Sequence, residues 1–307
     1  MICSLLIAEL LIGCGSQHAI SQNLNGEVKF NMDNEYKIED VTLNSGYKMP
    51  VLGLGTWTLN DDQSETCVYT ALKVGYRLID TARYYGNEVG VGRGIRKAIS
   101  DGIVKREEVF LTSKIMPSNY NSPDKAIDES LKALNVEYID LMLIHQPGYH
   151  DEEVYKALER AVKAGKVRSI GISNYYTPQE FERINKIAEI TPAIVQNENH
   201  PYYQNNALQE YLKQYGTVIE SWYPFGGRGH TKEIFNNETI QQIAKAHQKT
   251  PAQIISRWHI QAGYITVPGS GNPKHIEENF KIFDFKLNDS EMQAIAALNK
   301  KHRFESW

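Results

Sequence analysis

The sequence predicts a (β/α)₈ barrel, on three observations. Short apolar runs alternate with amphipathic helical patterns along most of the chain, the arrangement that builds a parallel sheet covered by helices. Counting the run that begins at Leu52, there are eight of them, enough to close the sheet on itself. Most runs stop at a reactive or hydrogen-bonding side chain, and barrels of this kind place their chemistry at the carboxyl ends of their strands. Thus Leu78-Ile79 meets Asp80, Leu141-Met142-Leu143-Ile144 meets His145, and Ala193-Ile194-Val195 meets Gln196. An open doubly wound sheet is the competing fold, but no GxGxxG follows the first strand.

In chain order, Tyr36 to Val51 alternates polar and apolar residues around Asn44-Ser45-Gly46, which predicts a β-hairpin capping the barrel bottom. Leu52 to Trp57 reads as the first buried strand. Asp62 to Val74 reads as a helix, with Asp61 or Asp62 able to cap it. Strands follow at 77–80, 108–113, 139–145, 168–173, 193–197, 217–222 and 264–268. Helical patterns lie at 87–100, 122–134, 151–164, 177–189, 205–215 and 238–262. Ser122-Pro123 supplies a cap residue and a first-turn proline. Thr177-Pro178-Gln179-Glu180 adds a capping box. Thr250-Pro251 divides 238–262 into two helices.

Net charge is −4 over 307 residues, with no basic run that would favour nucleic acid. The three cysteines, Cys3, Cys14 and Cys67, have neither CxxC nor zinc spacing. Cys67 lies in an amphipathic pattern and reads as a small buried hydrophobe. Two regions are expected: a leader and linker over 1–36 and the barrel over 37–307. Met1–Gly13 is too short to span a bilayer, which takes about 20 apolar residues. The segment ending Leu11-Ile12-Gly13-Cys14 resembles a bacterial lipoprotein signal, with a lipid anchor at Cys14, but lacks a basic start and contains Glu9. A translation start at Met32, or a leader clipped of its basic front, reads the same residues. Gln17 to Asn34 reads as a flexible polar linker.

Five motifs then recur in order. Asp80-Thr81-Ala82-Arg83-Tyr84-Tyr85-Gly86-Asn87-Glu88, Leu111-Thr112-Ser113-Lys114, Leu143-Ile144-His145-Gln146-Pro147, Gly171-Ile172-Ser173-Asn174-Tyr175 and Glu198-Asn199-His200-Pro201 resemble the aldo-keto reductase family, in order and spacing across residues 38–300. The chain resembles the bacterial members similar to 2,5-diketo-gluconate reductases. The resemblance implies reduction of aldehydes or ketones to alcohols by direct hydride transfer from NAD(P)H, without metal.

A carbonyl that receives hydride at carbon gathers negative charge on oxygen and needs a proton donor there. Tyrosine is a weak donor, with an ordinary pKa of about 10, and a nearby ammonium is expected to lower it. The ammonium in turn needs a carboxylate. The resemblance assigns these roles to Tyr85 as general acid, Lys114 as its modulator and Asp80 as the anchor of Lys114, with His145 orienting the substrate oxygen. Tyr84 competes with Tyr85 on residue type alone; the spacing from Asp80 in the family motif selects Tyr85. An isolated Asp–Lys pair or a lone buried histidine is more often structural.

For the cofactor, the resemblance implies Ser173, Asn174 and Gln196 at the nicotinamide carboxamide and Trp222 stacked on its ring. Gly226-Gly227-Arg228-Gly229 is expected to close over the pyrophosphate. Beyond the last strand the chain departs from the family: Gly269 stands where a lysine is usual and His275 where an arginine is usual. Ser270, Lys274, His275 and the helix start after Pro273 remain to hold a 2′-phosphate. NADPH is therefore the expected cofactor, with NADH possible. Glu278 and Asn279 match adenine-contacting positions. Trp57 and Tyr85 are expected in the substrate wall, with Trp307 a possible addition. Gln146, where the family often has tryptophan, Val195, where asparagine is common, and the short tail Lys300–Trp307 predict a more polar, open pocket.

Small-molecule carbonyls are the expected partners, with no nucleic acid and no membrane for the barrel, and the resemblance implies a monomer. Cofactor supply favours the cytoplasm, in tension with a lipoprotein leader. The alternative is a nucleotide-sensing module of the same fold with little turnover. A metal-dependent barrel hydrolase would need an early His-x-His pair, and none is present.

Overall fold

The computed structural model describes residues 39–306. The expectations for the leader, Cys3, Cys14, Met32 and Trp307 lie outside the described residues. The first elements are an antiparallel hairpin, β1 (Asp40–Thr42) and β2 (Lys48–Pro50), turning at Gly46 with φ 86°. There follow β3 (Gly53–Gly55), α1 (Asp61–Val74), β4 (Leu78–Asp80), α2 (Glu88–Ser100), β5 (Phe110–Ile115), α3 (Pro123–Leu134), β6 (Ile139–Ile144) and α4 (Asp151–Lys163). The chain continues through β7 (Val167–Ser173), α5 (Pro178–Asn185), β8 (Ile194–Glu198), α6 (Asn206–Leu212), β9 (Val218–Trp222), α7 (Thr231–Phe235), α8 (Glu238–His247), α9 (Pro251–Gln261), β10 (Ile265–Thr266), α10 (Pro273–Phe280) and α11 (Asp289–Ala296).

Strands β3 to β10 pair in sequence order, all parallel. The seam between first and last closes through parallel bridges Leu52↔Thr266 and Gly55↔Gly269. This closure requires a bare backbone at Gly55, because a Cβ there would lie 2.7 Å from the Val267 carbonyl oxygen. The hairpin plugs the amino-terminal end. Its Leu43 and Met49 join Leu78, Phe110, Ile194 and Ile265 in one buried cluster, and Asn44 donates to the carbonyls of Pro192 and Tyr215, both at 3.2 Å. The opposite, carboxyl end is left open to solvent chemistry. Helices and outward-facing strand residues bury a second, larger apolar layer that includes Cys67. Among the described residues, no helix is long and apolar enough to cross a membrane.

Several boundaries differ from the sequence reading for identifiable reasons. The cap of α1 is Asn60, through a capping box with Gln63. Asp61 is occupied with the Gly90 N–H at 2.7 Å and Asp62 with Arg93 at 2.8 Å. Ser122 makes no capping bond, and Pro123, lacking an N–H, opens α3 by itself. Helix α5 ends early because the buried Glu159 carboxylate takes the N–H groups of Glu189 and Ile190 at 2.6 and 2.8 Å. The capping box at Thr177 and the break at Pro251 are as expected. Helices α7 and α11 were not anticipated.

Candidate active site

The carboxyl end of the sheet gathers polar side chains in a dry setting. Asp80 ends β4, Lys114 lies on β5, His145 follows β6, and Gln196 and Glu220 are register partners on β8 and β9. Lys114 has no solvent exposure. Its Nζ donates to both oxygens of Asp80 at 2.7 and 2.8 Å, to the Thr81 carbonyl at 2.9 Å and to the Tyr85 hydroxyl at 3.2 Å. Burial is the largest single influence and would discharge the amine, but Asp80, Tyr85 and Glu220 together outweigh it, so the pKa of Lys114 is raised and the ammonium is secure.

Tyr85 stands on a short turn after β4 that ends at Gly86, where φ is 67°. Part of its ring faces solvent, but its hydroxyl is desolvated. The sequence reading expected Lys114 to bring this phenol below its ordinary range. Burial wins instead: Tyr85 is pushed up to about 12, with Lys114 pulling down and Asp80 pushing up. The phenol is therefore fully protonated near neutrality, the form an acid must have. His145 meets Tyr85 edge-on, ring centroids 5.7 Å apart. Burial, and then Lys114, hold its pKa well below the usual range, so the imidazole is neutral. Its Nδ1 is buried without a partner, which leaves Nε2 for a ligand oxygen.

A second carboxyl, unremarked in the sequence reading, sits behind this set. Glu220 has no solvent exposure. Gln196 spends both amide hydrogens on carboxylates, one on Asp80 and one on Glu220, each at 2.8 Å. The other oxygen of Glu220 has no partner. Burial, and then the charge of Asp80, raise Glu220 to about 8, so it holds a proton at neutrality. Protonated Glu220 leaves Asp80 and Lys114 as a balanced pair. The available signal was a glutamate inside an apolar strand run, a residue almost never fully buried without a reason.

The expected carboxamide residues are assembled, with one limitation. Asn174, in the left-handed region at φ 68°, donates to the His145 carbonyl at 2.9 Å and to Ser173 at 3.3 Å. Its side-chain oxygen accepts from Tyr176 at 3.0 Å and from the Trp222 indole at 3.2 Å. Asn174 is thus already engaged, whereas Gln196 keeps its carbonyl oxygen. A second missed residue is Tyr223, at φ 50°, whose hydroxyl accepts from the Trp57 indole at 3.0 Å and so straps one wall to the other. Trp57 also stacks on Tyr84 at 5.7 Å and tilts on Tyr85 at 4.8 Å. Asn87 secures that wall from below through the carbonyls of Thr56 and Leu59 at 2.8 and 2.9 Å.

A groove of about 420 Å³ runs over these groups. Trp57, Tyr84, Tyr85 and His145 line it, as do Asn174, Gln196, Trp222, the loop Gly227–Gly229 and Gly269–Gly271 with Ser270. Lys114 and Ser173 stand behind the lining, and Gln146, Val195, His275, Glu278 and Asn279 are outside it. Lys274 and His275 are exposed at the start of α10, where Asn272 caps the helix through the Lys274 N–H at 3.0 Å. Gly269 lies on the closing seam, where a Cβ would be 3.1 Å from the Gly55 carbonyl oxygen.

The comparisons agree with this geometry. The Aldo/keto reductase family model matches residues 51–300. The chain is 38% identical to an NAD(P)H-dependent D-xylose reductase of Candida tropicalis, covering 87% of this chain and 94% of that protein. It is 40% identical to a glyoxal reductase of Bacillus subtilis, covering 86% and 94% respectively. The crystal structure of a Bombyx mori aldo-keto reductase in complex with NADP superposes with TM-score 0.83 at 33% identity, covering 88% of this chain and 96% of that one. The chain therefore belongs to the aldo/keto reductase family, as an NAD(P)H-dependent reductase of aldehyde and ketone groups built on a (β/α)₈ barrel.

Proposed function

We propose that the chain reduces small aldehydes with NADPH, using Tyr85 as the proton donor, Lys114 and Asp80 to support it, and His145 to orient the carbonyl. The observation that carries this reading is the contact of the Tyr85 hydroxyl with the buried Lys114 ammonium, 3.2 Å apart, on the wall of the groove. A substrate carbonyl oxygen placed between Tyr85 and His145 receives a hydrogen bond from each. When bound, the reduced nicotinamide supplies the hydride to the carbonyl carbon. Tyr85 gives up its proton to the oxygen as charge gathers there, and Lys114 stabilises the phenolate left behind. Asp80 keeps Lys114 charged and aimed.

The residues present fit a nicotinamide cofactor. Gln196 retains a free carbonyl oxygen for the carboxamide N–H, Ser173 a hydroxyl, and Trp222 a flat ring at the groove. Gly227–Gly229 lines the groove and would cover a pyrophosphate. Ser270, Lys274 and His275 would meet the 2′-phosphate at the start of α10, with Glu278 and Asn279 toward the adenine. Histidine is a weaker phosphate fork than arginine, so NADPH is preferred over NADH by a modest margin. The intact set Asp80, Tyr85, Lys114 and His145 supports turnover over a nucleotide-sensing role. We place the enzyme, a monomer, in the cytoplasm, where NADPH is made. Cofactor oxidation with a panel of small aldehydes, run in parallel with NADPH and NADH, tests the reading. Consumption with glyoxal-type aldehydes, faster with NADPH, is expected; binding without consumption refutes it.

A further inference from the structure

We propose that Phe304, in the carboxyl-terminal tail, is a positioning residue for the cofactor: it is the wedge that holds the glycine-rich loop Gly226–Gly229 down over the dinucleotide. This rests on the reading that the loop covers the cofactor. The tail is anchored from beneath. Glu198, at the end of β8, is fully buried. It accepts the backbone N–H of Phe304 at 2.6 Å and that of Glu305 at 3.1 Å, and His200 bonds it at 2.9 Å. A buried carboxylate is costly unless its oxygens are satisfied. The tail supplies two of these donors, so its position is firmly set. Further back, Lys300 pairs with Glu233 on α7 at 2.9 Å, and its amine lies 3.5 Å over the Tyr202 ring.

The anchored tail presents Phe304 between two imidazoles. His200 stacks beneath it at 4.5 Å and 14°, and His230 on the other side at 3.7 Å and 6°. His230 directly follows the glycine-rich loop and immediately precedes α7. The contact continues into the loop itself. Gly226 has φ 83°, and a Cβ on it would lie 2.7 Å from the Ile234 side chain and 3.1 Å from the Phe304 ring. Gly227 has φ 68° and packs against Tyr223 so closely that a Cβ would lie 2.2 Å from that ring. The Thr231 hydroxyl closes the turn on the Gly227 carbonyl at 2.9 Å. The loop is thus held between Tyr223 on the groove side and Phe304 on the tail side. Lifting the loop together with His230 separates that imidazole from Phe304.

Loop lifting is the step that cofactor release demands. A stacked ring pair is worth roughly 2- to 12-fold in such an equilibrium. The experiment measures the dissociation rate of NADPH from the full-length protein by rapid mixing, together with carbonyl KM and kcat. Phe304→Ala is expected to speed dissociation several-fold, to about tenfold, while carbonyl KM stays within twofold. His230→Ala should do the same, and the double variant should add little, since both remove one contact. Phe304→Tyr should restore the slow rate. Dissociation within twofold of wild type in both Phe304→Ala and His230→Ala overturns the proposal. Arg228→Ala separates the two layers. If it alters dissociation and the stack variants do not, only the wedge fails; if none does, the loop does not cover the cofactor. Should Phe304→Ala fail to fold, His230→Ala decides alone, because its side chain is 40% exposed and its loss leaves no buried cavity.

Discussion

Replacing Tyr85 by Phe removes one oxygen atom and separates two candidate acids. In the structure that oxygen bonds Lys114 at 3.2 Å, and Lys114 keeps Asp80 and the Thr81 carbonyl when it is gone. No cavity forms and no charge is stranded. The stability change should be that of a single hydrogen bond, about 1 kcal/mol. The rate change should be far larger, since a positioned general acid contributes about 10²- to 10⁴-fold. At about 1.4 kcal/mol per decade, that is roughly 3–5 kcal/mol of transition-state stabilisation. Tyr84→Phe is the matched control. Tyr84 is 50% exposed, lines the groove and meets Trp57 and His145 through its ring, which Tyr84→Phe keeps, so the kcat of that variant should stay within about threefold of wild type. The assay is steady-state NADPH oxidation with a small aldehyde, beside urea unfolding and cofactor titration of each variant. A Tyr85→Phe enzyme that folds, binds cofactor and turns over within tenfold of wild type would refute the assignment. Loss of turnover in Tyr84→Phe instead would transfer the role.

Further perturbations test the groups behind the acid. Lys114→Met leaves Asp80 buried without its cation and should cost about 3–5 kcal/mol in urea unfolding; a loss below 1 kcal/mol would show that the pair is not truly desolvated. Glu220 has a folded pKa raised from 4.5 to about 8. The folded state therefore holds a proton that the unfolded chain releases. Its contribution to stability is fully present below pH 4.5 and is lost as pH rises toward 8, up to a few kcal/mol in all. Glu220→Gln should flatten that slope and exceed wild type in urea midpoint at pH 9; an unchanged slope between pH 5 and 9 counts against a protonated Glu220. Gly55→Ala, with its Cβ 2.7 Å from the Val267 carbonyl oxygen, should open the barrel seam, lowering the melting temperature by several degrees. A melting curve that superposes on wild type would show that the seam tolerates the added atom.

What the chain discloses in advance, and what it withholds, follows from the range of each interaction. Strand and helix order was legible because burial on both faces of a parallel strand demands an apolar run, and a helix demands its own period. The positions of Asp80, Lys114, His145 and Gln196 followed from that order, each standing at or near the end of such a run. The features that were hidden depend on partners far away in sequence. Asp61 and Asp62 looked like caps because nothing local shows that Gly90 and Arg93 will claim them. The direction of the Tyr85 shift was misjudged because an ammonium can be read from a motif, whereas depth of burial cannot. Tyr223 became a strap only when Trp57, 166 positions away, came within 3.0 Å.

The same argument bears on pocket shape. The tail was read as short, and the pocket therefore as open. In the fold, length is beside the point. Two tail amides reach a carboxylate buried at the end of β8, 106 and 107 positions earlier. That anchor, rather than the number of residues beyond it, sets where Phe304 stands and therefore how the cofactor loop is held. A longer tail without Glu198 beneath it would have more reach and less control. Glu198→Gln keeps two acceptor sites on one oxygen but gives up the other, and should release the tail at Glu305 while the barrel stays folded. Proteolysis within residues 301–306, seen by mass spectrometry, is the expected sign. Equal protection in variant and wild type would mean that the ring stack alone secures the tail.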